Sequence, residues 1–578
     1  MVGKATKDRR LIVVAVFLLS GLLLVSGKLV FLQIIKAGKY EKLAARQRDE
    51  NITVSSRRGT LTDREGEVLA ISEDVTSVYA TPYLVKDKDG AARKIAGALG
   101  LEEGEVRGRL SERSGFVYLA RKADNARAGK VRKMKIEGIG FIEESRRFYP
   151  MGKLASQVLG VVDVDNKGQA GLELYYQNIL GGKTGKVLLE KDAAGNPIPG
   201  SEKQQAQAVD GSDLQITLDK DIQQCMEDAL ARAMDAYGPK AGTALVMDCN
   251  TGDILAMAST PTFDPNNRAD VNPASMRNRA ITDSYEPGSA MKVVTASAAL
   301  EEKVVLPQTV LTVPSELKIA DSVFKDAEPK PTRQLSFMQI IGESSNIGTI
   351  EVARALGADR LDKYLGIFGM GEKTGIDFPG EVPGIVLPRS RWSGTSVATI
   401  AIGQGISVTP IQLACALSVI ANGGRKVCPH FLKSKVTNTG MKDMGLGGVG
   451  AEIISKLTCR EMAGILTQVV SATGTAPKAA VRYYSVAGKT GTAAKVVKGG
   501  GYGGGYMATF VGFAPAERPR LLVMVVLDEP WPIWGGETAA PTFKDIMTFS
   551  LQHLKIPPSW SQPGSTSTGG EECPSPRD

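Results

Sequence analysis

The chain has 578 residues, of which 43% are hydrophobic and 23% charged, so it is long and apolar enough to fold into about three domains. Its 70 basic and 62 acidic residues give a net charge of +8. The two signs are mixed along the sequence, and no basic stripe with interleaved aromatic residues is present. Nucleic-acid binding is therefore not expected.

The apolar N-terminal stretch predicts a membrane anchor. Residues 11–27, LIVVAVFLLSGLLLVSG, carry no charge, and after Lys28, which can snorkel, apolar sequence continues to residue 35. Basic residues precede the stretch, which favours a cytoplasmic N-terminus. We predict cytoplasmic residues 1–10 and a single transmembrane helix over 11–35. A cleaved signal peptide is the alternative, but the run is longer than is usual for one and no clean cleavage site follows it.

The rest of the chain predicts an α+β fold. Residues 36–205 mix short strand-like runs with turns and form a predicted extracytoplasmic pedestal, whereas residues 206–556 form a second domain. Within the second domain, Asp219 or Asp221 would cap a first helix. Residues 557–578, rich in Pro, Ser and Gly, are predicted to be a disordered tail. The pattern further predicts a hairpin over 242–259, helices over 338–356, 410–421 and 541–554, and a buried strand over 520–530.

Histidine and cysteine usage limits the chemistry. The only histidines are His430 and His553, so a Ser-His-Asp triad or a His-rich metal site is hard to build. The six cysteines form no CxxC pair, and their spacing indicates neither a zinc site nor a disulfide framework. Any acyl-transfer chemistry therefore needs a base other than histidine.

Ser289 and Lys292 offer such a base. They lie three residues apart in SYEPGSAMKVVTASAALEE (284–302), at the start of an apolar helix, and residues with this spacing share a helix face. Burial lowers the pKa of a lysine, so a neutral Lys292 can accept the proton of Ser289. A free N–H in the first turn can help to stabilise an oxyanion. The SxxK pattern alone is weak evidence, because Ser315/Lys318 and Ser322/Lys325 repeat it in a polar segment.

Two further motifs follow in the chain. SxN occurs once, as Ser344-Ser345-Asn346, for which a simple helix cap is the alternative interpretation. KTG occurs at Lys183, Lys373 and Lys489, and only the last is attached to a strand-like run. A strand edge bearing Lys489, Thr490 and Thr492 is suited to binding a carboxylate. The order SxxK, SxN, KTG is typical of penicillin-binding proteins and class A β-lactamases.

From the anchor to about residue 556 the chain resembles a class B penicillin-binding protein, most closely the division type (FtsI-like). Leu61, Glu65 and Cys249 are mild departures from the family's pattern. The resemblance implies a single N-terminal transmembrane helix, an elongated mixed α/β pedestal of the dimerisation type, and a transpeptidase domain with a central antiparallel sheet flanked by helices. The similar segments include RRGTLTDREGEVLA, GLELYYQNILGGKTG, YEPGSAMK, SSNIG, GQGISVTPIQL and VAGKTGTA.

By this resemblance, Ser289 attacks the D-Ala-D-Ala carbonyl of a peptidoglycan stem peptide, and an amine of a neighbouring stem then attacks the acyl-enzyme. Lys292 acts as the base, Ser344 relays a proton, and Asn346 holds the lysine and the substrate amide. The backbone N–H groups of Ser289 and Thr492 form the oxyanion hole. No metal or cofactor is required. The terminal carboxylate is bound by the strand residues Lys489, Thr490, Gly491 and Thr492.

The resemblance also implies partners and a location. β-Lactams acylate Ser289, and the glycan comes from a membrane-embedded SEDS polymerase (FtsW-like) among the divisome proteins. The protein is expected in the cytoplasmic (inner) membrane, with its catalytic domain in the periplasm and a role in septal wall synthesis. The alternatives are an elongation or sporulation transpeptidase, a D,D-carboxypeptidase or β-lactamase, and a non-catalytic β-lactam sensor.

Residues 498–510, KGGGYGGGYMATF, are predicted to form a flexible loop at the lip of the site.

Overall fold

An apolar helix opens the chain. In a computed structural model, which describes residues 2–54, 56–190, 203–267, 269–437, 440–443, 448–497 and 501–559, an α-helix spans Val2–Val30 and continues as a π-helical turn over Phe31–Ile35. The segment Arg9–Ile35 is long and apolar enough to cross a membrane, and it is the one such helix in the described part of the chain. The predicted single N-terminal apolar helix is therefore confirmed.

The chain divides into two compact units, and the segments Met1–Arg57, Asp74–Ser145 and Gly182–Gly211 make up the first. Its core packs Val78, Ile95, Val106 and Leu119 among their neighbours. A three-stranded antiparallel sheet pairs Asp49–Val54 with Gly185–Glu190 and Gly185–Glu190 with Lys203–Ala206. The unit's other helices and strands are Ala37–Arg48, Lys88–Leu99, Glu103–Ser111, Val117–Ala123 and Asn125–Lys133, with parts of Val68–Ala80 and Ile139–Phe148.

The second unit comprises Arg58–Glu73, Arg146–Gly181 and Ser212–Asp578. At its centre is a five-stranded antiparallel sheet made of β1 (Ala241–Asp248), β2 (Ile254–Thr260), β3 (Ala487–Val496), β4 (Tyr502–Ala514) and β5 (Leu521–Asp528). Their order in the sheet is β2-β1-β5-β4-β3. Every residue of β5 except Asp528 is buried, as expected for a strand covered on both faces.

Helices flank this sheet. Asp219 caps the first helix by accepting hydrogen bonds from the backbone N–H groups of Asp221 and Ile222, so the first of the two predicted caps is the one used. A capping box between Thr409 and Gln412 starts the helix that begins at Pro410. The helices are α1 (Lys220–Tyr237), α2 (Lys292–Glu301), α3 (Phe337–Gly342), α4 (Asn346–Leu356), α5 (Pro410–Ala421), α6 (Lys456–Val470) and α7 (Ala539–His553).

Shorter elements complete the second unit. Two small hairpins pair Val310–Val313 with Arg333–Ser336 and Leu317–Ile319 with Ser322–Phe324. The remaining strands are Leu61–Thr62, Leu214–Ile216, Arg425–Val427, Leu432–Thr437, Gly440–Asp443 and Val449–Glu452. The remaining helices are Ser156–Leu159, Gly171–Tyr175, Gln177–Leu180, Arg279–Thr282, Ala358–Ile367 and Ser396–Ala401, with short 3₁₀ turns at Arg389–Arg391 and Pro477–Ala479.

A buried ion network links two of the three sequence segments of the second unit. Glu173 accepts hydrogen bonds from Arg58 Nε at 2.5 Å and from Arg147 Nε at 2.6 Å, and all three side chains are at most 1% exposed. Arg58 belongs to the segment RRGTLTDREGEVLA that carries part of the family resemblance. The network therefore gives this arginine a structural role inside the fold.

Most predicted elements of the second unit are present, but the predictions for 338–356 and 498–510 are wrong. The predicted helix over 338–356 is interrupted, because α3 ends at Gly342 and α4 begins at Asn346. The predicted loop over 498–510 is largely strand, since β4 starts at Tyr502 and pairs with β3 up to Val496. Residues 498–500 and most of the predicted tail, from residue 560 on, lie outside the described residues. The division of the chain at 205/206 stays a prediction.

Candidate active site

The segment that carries Ser289 is held by close backbone packing. Gly288–Met291 form a single 3₁₀ turn, and the α-helix starts only at Lys292, so the predicted placement of both residues in one α-helical turn is not what the structure shows. Gly288 donates a hydrogen bond to the carbonyl of Gly403, 3.1 Å away. A Cβ on Gly403 would lie 2.1 Å from the Gly288 oxygen, so glycine is required there. Ser289 remains partly exposed in a cleft.

Lys292, the first residue of α2, is fully buried. Its Nζ donates to the Ser344 carbonyl at 2.6 Å, to Asn346 Oδ1 at 2.8 Å and to Ser344 Oγ at 3.3 Å. Burial, and then the charge of Lys489, hold the pKa of Lys292 well below its usual value, although Asp326 opposes the shift. A buried lysine in this environment favours its neutral form, which can accept a proton.

Ser344 lies in the left-handed region with φ +59°, at the break between α3 and α4. This conformation is uncommon for a residue other than glycine, and here it turns both the carbonyl and the hydroxyl of Ser344 toward Lys292. Its neighbour Ser345 caps α4 and also donates to Asp326 at 3.0 Å. The helix-cap interpretation therefore applies to Ser345, while Ser344 and Asn346 contact the lysine.

The KTG strand β3 forms the opposite wall of the cleft and is an edge strand of the sheet in the described residues. Lys489 is fully buried, its Nζ donates to Ser344 Oγ at 2.8 Å, and burial lowers its pKa to about 7. An edge strand leaves backbone groups free to pair with an extended peptide. The strand thus combines a cationic group with an open edge.

Of the other residues of the KTG segment, Gly491 packs against the Ser289 segment, and Thr490 and Thr492 lie at the surface of the cleft. A Cβ on Gly491 would lie 2.8 Å from the Pro287 carbonyl, so this glycine lets the strand approach the Ser289 segment. Thr490 Oγ1 hydrogen-bonds to Thr475 Oγ1 at 2.9 Å, and Thr492 Oγ1 accepts from Gly535 N–H at 3.2 Å. Both threonines line the cleft, and Gly491 sets the spacing between its walls.

The three motifs thus meet at one cleft of about 470 Å³. Sequence reasoning missed Asp326, Thr475 and Trp534, which line the cleft but belong to no motif. Gly403, in contrast, lies in the segment GQGISVTPIQL, which carries part of the family resemblance. Nothing in the sequence indicated that it packs against Gly288. Among the predicted site residues, Ser289, Ser344, Asn346, Thr490 and Thr492 line the cleft, whereas Lys292 and Lys489 are fully buried and do not line it.

The other copies of the motifs lie elsewhere. Ser315 and Lys318 are exposed. The Lys325 side chain pairs with Glu316 at 3.4 Å on the surface, although the Lys325 carbonyl accepts a hydrogen bond from Asn346. The lysines of the other two KTG copies, Lys183 and Lys373, do not line the cleft.

One group of metal-type ligands occurs within the described part of the chain, formed by Asp219, Asp221 and His553. Asp219 caps α1 through one carboxylate oxygen and bonds to His553 Nε2 at 3.1 Å through the other. None of the three lines the cleft.

Comparisons with known proteins identify the family of the chain. Residues 242–548 match the family described as Penicillin binding protein transpeptidase domain. Residues 53–216 match the Penicillin-binding Protein dimerisation domain. The chain belongs to the penicillin-binding protein family. The two matches together, on one chain, are those of its class B members, so the resemblance found in the motifs and the predicted fold class are both confirmed.

Relatives and solved structures cover nearly the whole chain. It is 33% identical to Stage V sporulation protein D of Bacillus subtilis, over 97% of this chain and 88% of that protein. It is 32% identical to the peptidoglycan D,D-transpeptidase FtsI of Escherichia coli, over 92% and 90%. The crystal structure of penicillin binding protein 3 from Mycobacterium tuberculosis, complexed with aztreonam, aligns with a TM-score of 0.70 at 28% identity, covering 88% of this chain and 98% of that one.

Proposed function

We propose that this protein is a serine-type peptidoglycan D,D-transpeptidase that cross-links stem peptides through an acyl-enzyme on Ser289. The observation that carries the proposal is the contact between the SxxK and SxN motifs. Lys292 is fully buried and bonded to Ser344 and Asn346, while Ser289 faces the cleft. In this arrangement a neutral Lys292 takes the role that histidine has in other serine enzymes, and the Ser289 hydroxyl is accessible from the cleft.

In the acylation step, Lys292 Nζ takes the proton of Ser289 Oγ, and the oxygen attacks the carbonyl carbon of the penultimate D-alanine. The new C–O bond forms, and the C–N bond to the terminal D-alanine breaks. The proton passes to the leaving amine, with Ser344 Oγ as relay because it contacts Lys292 Nζ. The backbone N–H groups of Ser289 and Thr492 stabilise the oxyanion.

In the transfer step, an amine of a second stem peptide attacks the ester carbon. The amine's proton passes through Ser344 Oγ to Lys292 Nζ as the new C–N bond forms, and Lys292 returns it to Ser289 Oγ as the C–O bond to Ser289 breaks. Water attack at the same carbon would instead give a carboxypeptidase. The product of the reaction therefore separates the two activities.

The terminal carboxylate of the donor binds at β3. Lys489 is the cation on this side, and Thr490 and Thr492 present hydroxyl groups to the cleft. A carboxylate placed beside Lys489 would stabilise its charged form and raise its pKa above the value of about 7 in the free protein. β-Lactams carry a carboxylate next to their reactive amide and would use the same contacts.

Replacing the nucleophile tests this function. Ser289→Ala should neither bind labelled penicillin nor cross-link lipid-linked glycan, whereas the wild-type protein does both. Cross-linking retained by the variant would contradict the mechanism. Release of D-alanine by the wild-type protein without any dimeric product would instead indicate a carboxypeptidase.

The protein is further proposed to act in septal wall synthesis, anchored by Arg9–Ile35 with its catalytic unit outside the cytoplasm. Its partner would be an FtsW-like SEDS polymerase within the divisome, contacted through the anchor and residues 51–205. The similarity to a sporulation protein makes that role the competing one. A fluorescent fusion at the division septum of growing cells supports the proposal, and one confined to sporulating cells contradicts it.

The partner proposal has its own test. Replacing residues 11–35 by an unrelated membrane span should abolish co-purification with the polymerase. If association survives both this exchange and deletion of the pedestal, the proposed contact is wrong.

A further inference from the structure

An open groove of about 630 Å³ lies on the second unit, apart from the catalytic cleft. One wall is a face of α6, and the others are the end of α5, the turn between β4 and β5, and Ser485 just before β3. Among the described residues, the groove and the cleft share no lining residue. We call it the α6 groove.

Small residues line much of the α6 groove. They include Ala463 and Gly464 of α6 and Ala516 of the β4–β5 turn. A Cβ on Gly464 would meet nothing within 4 Å, so the groove is open at this position. The lining face of α6 runs from Lys456 to Thr467, which is about 17 Å at the helical rise. That length suits about five residues of an extended peptide.

Two cations stand on this face of α6. Lys456 and Arg460 are exposed, lie about one helical turn apart, and form no ion pair with any residue that the structure describes. Glu517 is the acidic residue of the described lining, and it accepts a hydrogen bond from Ser485. Two basic groups and one acidic group leave the groove with a net positive charge. A negatively charged ligand is therefore favoured.

The last residue that the structure describes lies at the edge of this groove. Ser559 N–H donates to the Tyr483 carbonyl at 3.0 Å, and Ser559 Oγ accepts from the Ser485 N–H at 3.0 Å. Ser485 itself lines the groove. Residues 560–578, WSQPGSTSTGGEECPSPRD, lie outside the described residues, but their starting point is fixed beside the groove by these two bonds.

The composition of residues 560–578 matches the groove. Residues 564–570 are all Gly, Ser or Thr, and Glu571 and Glu572 follow them. A segment this poor in apolar residues has no core of its own, so it orders only against another surface. From Ser559 to Glu571 the extended chain reaches about 40 Å, well beyond the length of the α6 face. Because the segment is tethered, its effective concentration at the groove is in the millimolar range, and weak exposed ion pairs suffice.

We propose that residues 560–578 dock in the α6 groove of their own chain. The Gly/Ser/Thr run lies along Ala463 and Gly464, and Glu571 and Glu572 pair with Lys456 and Arg460. The inference goes beyond the proposed function and does not depend on it. Docking covers an exposed face of the catalytic unit and leaves the cleft open, since the two sites share no lining residue among those described.

Cys573, which directly follows the two glutamates, serves as a native reporter. In the full-length protein, cysteine is introduced either at Ala463, which lines the groove, or at Glu461, which is on another face of α6 and does not. Oxidised glutathione accepts the two hydrogen atoms that are lost when a disulfide forms. Peptide mass spectrometry measures the fraction bonded to Cys573, and urea unfolding checks that each variant is folded.

Ala463→Cys should bond to Cys573 at least about tenfold more than Glu461→Cys. Gly464→Trp fills the groove and should reduce the bond of Ala463→Cys at least about fivefold. Gly366→Trp is the matched control, because Gly366 is also an exposed helical glycine whose Cβ would meet nothing within 4 Å, and it should leave the bond unchanged.

Charge reversal tests the ion pairs. In the Ala463→Cys protein, the double change Glu571→Lys and Glu572→Lys should reduce the bond at least about fivefold. Adding Lys456→Glu and Arg460→Glu restores the opposite signs, so the bond should return to within about twofold of its first level. A general disturbance of the fold would not be reversed by these added changes.

Three outcomes overturn the inference. Equal bonding at positions 461 and 463 would show that residues 560–578 do not dock at the groove. A disulfide that joins two chains, seen as a dimer on a non-reducing gel, would assign the groove to the same segment of a second copy. A bond that is unchanged by charge reversal would exclude the ion pairs with Lys456 and Arg460.

Discussion

Lys292 and Lys489 share one hydrogen-bond partner. Ser344 Oγ lies 3.3 Å from Lys292 Nζ and 2.8 Å from Lys489 Nζ, and both lysines are fully buried. Two ammonium groups that converge on one oxygen repel each other in a medium of low dielectric constant. Because the charge of Lys489 contributes to the lowered pKa of Lys292, the state with neutral Lys292 and charged Lys489 is favoured. In that state, neutral Lys292 can act as a base and charged Lys489 can bind a carboxylate.

This division of charge predicts a bell-shaped pH dependence of acylation by penicillin. The rate should rise as Lys292 loses its proton, and it should fall above a pH of about 7 as Lys489 of the free protein loses its charge. The two apparent values belong to the coupled pair. The measurement is the second-order acylation rate from pH 5 to pH 10, followed by intact mass.

The methyl ester of the same penicillin provides the control. It lacks the carboxylate, so its slower acylation should keep the rising limb and lose the falling limb near pH 7. A falling limb that is identical for the acid and the ester would show that Lys489 does not bind the carboxylate.

The burial of Lys489 also predicts a cost in stability. Its folded pKa lies near 7, below the ordinary value of 10.5, so the folded state holds the proton less tightly than the unfolded chain. The penalty is complete below pH 7 and disappears as the pH rises to 10.5. Lys489→Met should therefore raise the free energy of unfolding by about 1–4 kcal/mol at pH 6 and by less at pH 9, while abolishing acylation.

Urea unfolding followed by tryptophan fluorescence measures this change, because all four tryptophans lie after residue 390. Lys495→Met is the control. Lys495 is paired with Asp528 and Glu529, so its loss should not stabilise the protein. A Lys489→Met protein less stable than wild type at pH 6 would contradict the argument.

The sequence was sufficient to predict which motifs meet. Ser289, Ser344 and Lys489 are far apart in the chain, and only the order of three short patterns indicated that they share a site. The interruption of the 338–356 helix could not be predicted, because its apolar spacing continues across the break. Ser344 adopts φ +59° although it is not glycine, so no residue type marked the turn. Tertiary contacts of Lys292 stabilise that conformation.

Cleft residues that belong to no sequence motif could also not be predicted. Asp326 and Thr475 line the cleft but lie in irregular segments, and such segments have no periodic sequence pattern from which their position could be predicted.

The prediction of a loop over 498–510 was wrong for a different reason. Its glycines favour a loop locally, but pairing with β3 from Val496↔Tyr502 onward outweighs that preference.

The contact between Gly403 and Gly288 predicts a specific loss of activity. Alanine at position 403 would place its Cβ 2.1 Å from the Gly288 carbonyl and must also adopt φ +79°. The Ser289 turn would have to shift, and small displacements of a nucleophile are costly to the rate. Gly403→Ala should lower penicillin acylation at least about 100-fold.

Gly357→Ala is the matched control for backbone strain. Gly357 has φ +89°, but its Cβ would meet nothing within 4 Å. Both variants force alanine to a positive φ, at a cost of about 1–3 kcal/mol each, and only Gly403→Ala also places a Cβ against the Gly288 carbonyl. Equal acylation rates in the two variants would show that strain, not the clash with Gly288, governs the effect.

The Glu173 network predicts a large effect on stability far from the chemistry. Removing Glu173 leaves Arg58 and Arg147 buried without their shared counter-ion, and such a loss costs about 3–5 kcal/mol. Glu351→Ala is the control, since its pair with Arg354 is partly exposed and is worth at most about 1 kcal/mol. Urea unfolding of both variants, read by tryptophan fluorescence, makes the comparison. A loss below about 1 kcal/mol for Glu173→Ala would mean that water reaches the two arginines.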